Sequence, residues 1–81
     1  MPRYFLHLLD ATRSVFDDVG IELDSDDAAH AHALWCLRDV IAHDILAQVP
    51  VNPDGYMSVQ DQQGHEICRI YFRDVAGISG A

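Results

Sequence analysis

The sequence contains no lysine, and its only strongly basic residues are five arginines spread along the chain. Thirteen aspartates and glutamates outnumber them, so the formal net charge is −8 at pH 7 with neutral histidines. A chain with this charge is repelled by phosphate backbones and by anionic lipid headgroups. The composition therefore argues against nucleic acids and membrane surfaces as partners of this chain.

The sequence also lacks a long apolar run, since none approaches the roughly 18 residues of a membrane-spanning helix. The first apolar stretch, Tyr4–Leu9, contains His7 and ends at Asp10 without a small-residue cleavage site, so it does not resemble a signal peptide. With 49% hydrophobic residues the chain is nevertheless too apolar to be disordered. We expect a soluble, cytoplasmic domain in which Cys36 and Cys68 are reduced thiols.

Motifs that carry chemistry are absent as well. The sequence has no glycine-rich phosphate loop, no H-E-x-x-H or paired C-x-x-C spacing and no nucleophile-elbow serine. The acidic segment Asp17–Asp27 lacks the D-x-D-x-D-G spacing of a calcium loop. We therefore predict no catalytic residues, no cofactor and no enzymatic activity. The 81 residues make one domain, which we place at residues 1–75, followed by a flexible tail at residues 76–81.

Hydrophobic periodicity divides the chain into two strands, one long helix and a second pair of strands. The predicted elements are Arg3–Leu9, Val15–Leu23, Asp26–Ala47, Tyr56–Gln60 and Glu66–Phe72. This ββαββ order predicts an α+β fold, with a four-stranded, mainly antiparallel sheet and one long helix packed on one face. The first and fourth strands are apolar on both sides and the other two on one side only, which favours the strand order 2-1-4-3.

The predicted helix has apolar residues on two opposite sides. One broad side should pack on the sheet and contains Ala29, Ala33, Leu34, Leu37, Val40, Ile41 and Ile45. The other side carries Trp35, Ala42 and Leu46 at i, i+7 and i+11, next to Arg38 and Asp39. An exposed tryptophan with aliphatic neighbours is typical of a contact site, so we predict an interface at Trp35, Asp39, Ala42 and Leu46. The alternative is that Trp35 folds down against a loop or the tail.

A single helix covers only one face of the sheet, so apolar residues on the other face also need a cover. In the predicted fold these are Phe5, Leu9, Ile67 and Tyr71. A second copy of the domain is the simplest cover, because symmetric pairs are the commonest oligomers. We expect a non-enzymatic, homodimeric protein-interaction module that can also bind another protein. The sequence leaves open whether the helix or the sheet forms the dimer interface.

Four residues of metal-ligand type form a ridge along the helix, His32, Cys36, Asp39 and His43, at successive steps of four, three and four. His32 and His43 are about 16 Å apart along the axis, so one ion can use only a neighbouring pair of these side chains. The ridge is therefore either a weak metal site or a solvated polar flank. A metal-binding protein, or a nucleic-acid-binding, antitoxin-like regulator, is the alternative function.

Several short motifs occur together in this chain. They are Pro2-Arg3-Tyr4-Phe5 followed by His7, the D-x-x-G-x-E-L segment Asp17–Leu23, an alanine-rich helix, and Phe72-Arg73-Asp74. This set resembles a family of short bacterial proteins of unassigned function. The resemblance supports the fold and implies no catalytic or binding residues. The chain departs from the family pattern at Leu6, where an aromatic residue is commoner, and in its histidine-rich helix.

Overall fold

The computed structural model describes residues 1–11 and 13–76 and has the predicted α+β fold. Along the chain, the elements are β1 Arg3–Leu9, β2 Ser14–Val15, β3 Ile21–Glu22, α1 Asp26–Leu46, β4 Tyr56–Gln60, β5 Glu66–Tyr71 and α2 Phe72–Ala76. All strand pairs are antiparallel, and α1 packs against one face of the sheet. Within the described residues, neither helix has the length and apolar composition needed to cross a membrane.

The order of the strands differs from the predicted 2-1-4-3. In that order the fourth predicted strand, Glu66–Phe72, lies beside the first, and the third, Tyr56–Gln60, lies at the edge. The structure exchanges these two strands, which are β5 and β4. β1 lies between β4 and the two short strands β2 and β3, and β5 forms the far edge beyond β4. The prediction placed the strand Tyr56–Gln60, now β4, at the edge because only one of its sides is apolar, and Ser58 lies on the other side. Ser58 is only 3% exposed, however, since its hydroxyl donates a hydrogen bond to Glu66 Oε2 at 2.7 Å, and Arg69 donates to the same oxygen. β4 is therefore buried on both faces and central.

The predicted strand Val15–Leu23 is interrupted in its middle at Asp17. The Asp17 carboxylate accepts hydrogen bonds from three backbone amides, those of Leu6, Val19 and Gly20. An aspartate that bonds amides two and three residues ahead favours a turn over a continuous strand. Only the two ends of the segment, β2 and β3, consequently pair with β1.

The core lies between α1 and the inner face of the sheet. Its buried hydrophobic members are Tyr4, Leu8, Ala29, Ala33, Leu37, Ile41, Met57, Val59, Ile70 and Phe72. α1 begins after Ser25, whose hydroxyl accepts a hydrogen bond from the Ala28 amide at 3.1 Å. Asp26 and Asp27 in the first turn complement the positive end of the helix dipole. These caps fix where the helix starts.

The sheet side of α1 differs from the prediction at its C-terminal end. Ile45 is 59% exposed, and Asp44 is buried in its place. Seen down the helix axis, Asp44 projects about 20° from Leu37, whereas Ile45 projects about 80° away. The Arg13 guanidinium donates two hydrogen bonds to the Asp44 carboxylate, and Arg13 Nε also lies 3.5 Å from Asp10 Oδ2. A hydrophobicity pattern predicts that Ile45 is buried, because it contains no information about Arg13, which pairs with Asp44.

The chain leaves the sheet one residue earlier than predicted, because Phe72 begins α2 and does not end β5. The Phe72 amide donates a hydrogen bond to the Gly55 carbonyl at 2.9 Å, and its side chain is fully buried. Of the predicted tail at residues 76–81, Ala76 ends α2, and residues 77–81 lie outside the described residues.

Candidate interaction surface

The residues predicted to form an interface lie on the side of α1 that faces away from the sheet. Trp35 is 71% exposed and Leu46 is 85% exposed, and both Ala42 and Asp39 are exposed between them. Ala31 is also exposed and continues the row toward the start of the helix. We call Ala31, Trp35, Ala42 and Leu46 the exposed stripe. Because most of the Trp35 surface is open, the indole is not folded down against the described residues.

The helix itself brings the stripe together. Its residues follow each other at steps of four, seven and four, which keeps all of them within about 60° on the helix surface. The direction of the stripe is opposite to that of Leu37, which is fully buried against the sheet. The same helical periodicity that builds the core therefore places a second apolar row in solvent.

Two shallow depressions flank Ala42 and widen this surface. One, of about 240 Å³, lies between α1 and α2 and is lined by Arg38, Ile41, Ala42, Ile45 and Val75. The other, of about 370 Å³, is lined by Trp35, Arg38, Asp39 and Ala42. Ile45 and Val75 are absent from the predicted interface, because the prediction placed Ile45 on the sheet side of α1 and did not include α2. The surface can accept side chains of a partner on both sides of Ala42.

Arg38 and Asp39 are adjacent, exposed and of opposite charge at the middle of the stripe. Neither forms a salt bridge within residues 1–11 and 13–76. The other four arginines each lie within 4 Å of a carboxylate. The pairs are Arg3 with Glu22, Arg13 with Asp10 and Asp44, Arg69 with Glu66, and Arg73 with Asp54. The cation and the anion at the stripe are thus available to charges of a partner.

The outer face of the sheet is the competing surface, and its own side chains partly cover it. Phe5, Leu9 and Tyr71 of the predicted apolar set are half-buried there, and Ile67 packs against the core. The Arg69 guanidinium lies 4.1 Å above the Tyr56 ring, and that of Arg73 lies 4.4 Å above the Tyr71 ring. Hydrogen bonds from Arg69 and Ser58 also hold the pKa of Glu66 below its ordinary value. The helix stripe is therefore more open than the sheet face.

His7 on the same outer face has a structural contact. Its Nδ1 accepts a hydrogen bond from the Asp17 amide at 3.0 Å, and the Phe16 ring lies 5.5 Å from its ring. Burial tends to raise the pKa of Asp17, but the hydrogen bonds from the amides of Gly20, Leu6 and Val19 outweigh it and lower the pKa. Asp17, held by His7 through its amide and bonded to the Val19 and Gly20 amides through its carboxylate, stabilises the turn between β2 and β3.

The predicted metal ridge brings only its first two members into contact. His32 Nε2 and Cys36 Sγ are 3.5 Å apart, while Asp39 and His43 are exposed further along α1. No group of three or more potential ligands forms within the described residues. Burial, and secondarily the charge of Asp39, raises the pKa of Cys36, which favours the thiol over the metal-binding thiolate. The ridge thus offers one pair of ligands at most.

Comparison with known proteins identifies a family for most of the chain. Residues 3–73 match the family model described as Domain of unknown function (DUF6894). This match confirms the resemblance to a family of unassigned function. No curated protein and no solved structure matches the chain. The family is described only as a domain of unknown function, so the match assigns no function to the chain.

Proposed function

The chain belongs to the DUF6894 family, and we propose that it acts as a homodimeric protein-interaction module whose contact surface is the exposed stripe of α1. The observation that supports this most is the exposure of Trp35 and Leu46, at 71% and 85%, on the side of the helix opposite the core. Tryptophan in a flat, partly apolar surface gives a large contact area at a small loss of side-chain entropy. A second copy also suits a chain of 81 residues, whose own core is small.

The exposed stripe is large enough to support association. Burial of Trp35 and Leu46 on both copies removes on the order of 600 Å² from water, which is worth roughly 15 kcal/mol at about 25 cal/mol per Å². Loss of translational, rotational and side-chain freedom costs roughly 4–15 kcal/mol. The difference, roughly 0–11 kcal/mol, includes the value of about 8 kcal/mol that corresponds to a micromolar Kd, and we expect a dimer that dissociates on dilution.

Size-exclusion chromatography with light scattering, over a dilution series, tests the proposal. Wild type should approach twice the 9.1 kDa chain mass at high concentration. Trp35→Asp should stay a monomer, because it places a charge at the centre of the contact. Val19→Asp is the matched control, since Val19 is 73% exposed but belongs to the turn between β2 and β3 and not to α1. A monomeric wild type, or an unchanged mass for Trp35→Asp, would contradict the proposal.

The metal-binding alternative has one supporting observation, the 3.5 Å contact between His32 Nε2 and Cys36 Sγ. A structural zinc site has four ligands, so these two would need two more from elsewhere. Metal analysis of protein purified without chelators tests this function. Stoichiometric zinc that is lost in His32→Ala would support it, and metal-free wild type would exclude it. The net charge of −8 disfavours the nucleic-acid alternative.

A further inference from the structure

We propose that two copies of the chain pair through α1 with the two helices parallel, so that Arg38 of each copy lies beside the partner's Asp39. The two-fold axis then runs between the two exposed stripes, along the helices. The inference rests on the proposed function and adds the direction of the partner helix. This arrangement accounts for the charges and for the side-chain sizes along the exposed stripe.

The first support is the position of two opposite charges on the two sides of the stripe. At about 100° per residue, Arg38 projects about 50° to one side of the centre of the stripe and Asp39 about 50° to the other. Both side chains are exposed, and neither forms a salt bridge within the part of the chain that the structure describes. A two-fold axis parallel to the helices places the Arg38 side of each helix beside the Asp39 side of the other. The symmetry therefore generates two ion pairs, and complementary charges of this kind contribute to specificity.

The second support is the alternation of large and small side chains. Side chains on an α-helix lean toward its N-terminus, so a large one covers the turn before its own. In the parallel pair Trp35 therefore reaches the partner's Ala31, and Leu46 reaches the partner's Ala42. Each large side chain meets an alanine, which lets the helices approach to the 8–10 Å that is typical of packed pairs.

The depression between α1 and α2 lies where the parallel pair places a leucine. Leu46 projects about 30° from the centre of the stripe toward the Asp39 side, so it meets the Arg38 side of the partner helix. The depression of about 240 Å³ lies on that side and is lined by Arg38, Ile41, Ala42, Ile45 and Val75. Its lining is mainly apolar and suits a leucine side chain. The same axis thus pairs the charges and fills the depression.

An antiparallel pair does not give this complementarity. When it is centred on the stripe, the Arg38 sides of the two helices lie together, and like charges are side by side at both edges of the contact. The other carboxylate on the Arg38 side of α1 is that of Asp27, and pairing it with Arg38 moves the centre to between positions 32 and 33. Leu46 then extends beyond the partner helix, which begins at Asp26. The parallel pair alone satisfies charge and size over the whole stripe.

The parallel pair places the acidic first turns of α1 at the same end, but their repulsion is small. The Asp26 carboxylate accepts a hydrogen bond from the Tyr4 hydroxyl at 2.7 Å and so lies toward the sheet. Asp27 projects about 70° to the Arg38 side, which puts the two copies on opposite edges of the contact, with Cα atoms roughly 9 Å apart. This separation is about the Debye length at physiological salt, so the repulsion is screened.

Charge reversal on the full chain tests the ion pairs. Arg38→Asp and Asp39→Arg should each raise the Kd of self-association about 10-fold, because each places like charges at both pairs. An equimolar mixture of the two variants should associate with the wild-type Kd, since every reversed charge then meets its opposite. The double variant Arg38→Asp/Asp39→Arg should regain that Kd as well. Sedimentation equilibrium measures these constants, and far-UV circular dichroism checks that each variant is folded.

A cysteine at Ala42 tests the direction of the helices without a change of charge. In the parallel pair the two Ala42 Cα atoms lie about 4–6 Å apart, which a disulfide can bridge. In an antiparallel pair centred on the stripe they lie about 10 Å apart along the helices, beyond that reach. Ala42→Cys should therefore give a covalent dimer on non-reducing gels after mild oxidation. Wild type, with Cys36 and Cys68, and Val19→Cys are the controls and should stay uncrosslinked.

The outcomes separate this inference from the proposed function. Single variants with an unchanged Kd and a mixture that binds more tightly than wild type would indicate the antiparallel pair and overturn the inference. If net charge alone governed association, Arg38→Asp would weaken it and Asp39→Arg would strengthen it, which would also overturn it. An Ala42→Cys variant that associates without crosslinking would do the same, while leaving a dimer that Trp35→Asp disrupts. A wild type that is monomeric at all concentrations would overturn the proposed function itself.

Discussion

The buried ion pair between Arg13 and Asp44 allows a quantitative test of how α1 is attached to the sheet. Arg13 precedes β2, Asp44 lies in the last turns of α1, and 31 positions separate them in the chain. Asp44 is 3% exposed, so its charge is almost entirely removed from water. The Arg13 side chain keeps a third of its surface open. Loss of the two partners should therefore have unequal effects.

Arg13→Met removes the cation and leaves a buried carboxylate without its counter-charge, which costs about 3–5 kcal/mol. An 81-residue domain has a total unfolding free energy of roughly 4–12 kcal/mol. The substitution should thus remove a large part of the stability and lower Tm by roughly 15–30 °C. Asp44→Asn keeps an acceptor near Arg13, whose guanidinium stays partly hydrated, so it should cost only about 1–2 kcal/mol.

Urea unfolding followed by circular dichroism at pH 7 measures these differences. The double variant Arg13→Met/Asp44→Asn should be more stable than Arg13→Met alone, because the second substitution removes the unpaired charge. Arg3→Met is the matched control, since Arg3 pairs with Glu22 at the surface and its loss should cost at most about 1 kcal/mol. Equal losses for Arg13→Met and Arg3→Met, or no recovery in the double variant, would refute the reasoning.

Three further predictions concern the turn segments and the start of the helix. Asp17→Asn should be less stable than wild type at pH 7, and the difference should disappear in acid. Because the pKa of Asp17 is lower in the folded protein than in the unfolded chain, the ionised carboxylate stabilises the fold fully above about pH 4. This stabilisation is lost as the pH falls through the pKa of the folded state, and urea unfolding at a series of pH values measures it. Gly20→Ala should lower Tm more than Gly64→Ala in thermal melts, because both residues have positive φ but a Cβ at Gly20 would lie 2.9 Å from the Phe5 ring, whereas Gly64 has open space. Ser25→Ala should cost about 1 kcal/mol in urea unfolding through loss of the helix cap, and an unchanged midpoint would contradict that role.

The first strand, the long helix and the closing hairpin follow from local sequence. A strand at Arg3–Leu9, a helix from Asp26 and a closing hairpin are set by periodicity, capping and turn residues that lie next to each other in the chain. The row formed by Trp35, Ala42 and Leu46 belongs to one helix, so its alignment could be derived without any tertiary information. The candidate surface is therefore the part of the molecule that sequence analysis reaches best.

Other features depend on residues that are far apart in the sequence. Ser58 makes β4 look like an edge strand until Glu66 and Arg69 cover it, and Asp44 looks solvent-exposed until Arg13 reaches it. The cover of the outer sheet face by Arg69 and Arg73 is likewise a tertiary effect.

Local spacing by itself thus determined β1, α1, the closing hairpin and the apolar row on α1. Only the tertiary structure decided the strand order, the burial of Asp44 and which surface stays open. The physical reason is that a polar side chain becomes an interior residue only when its hydrogen-bond partner arrives from another part of the chain.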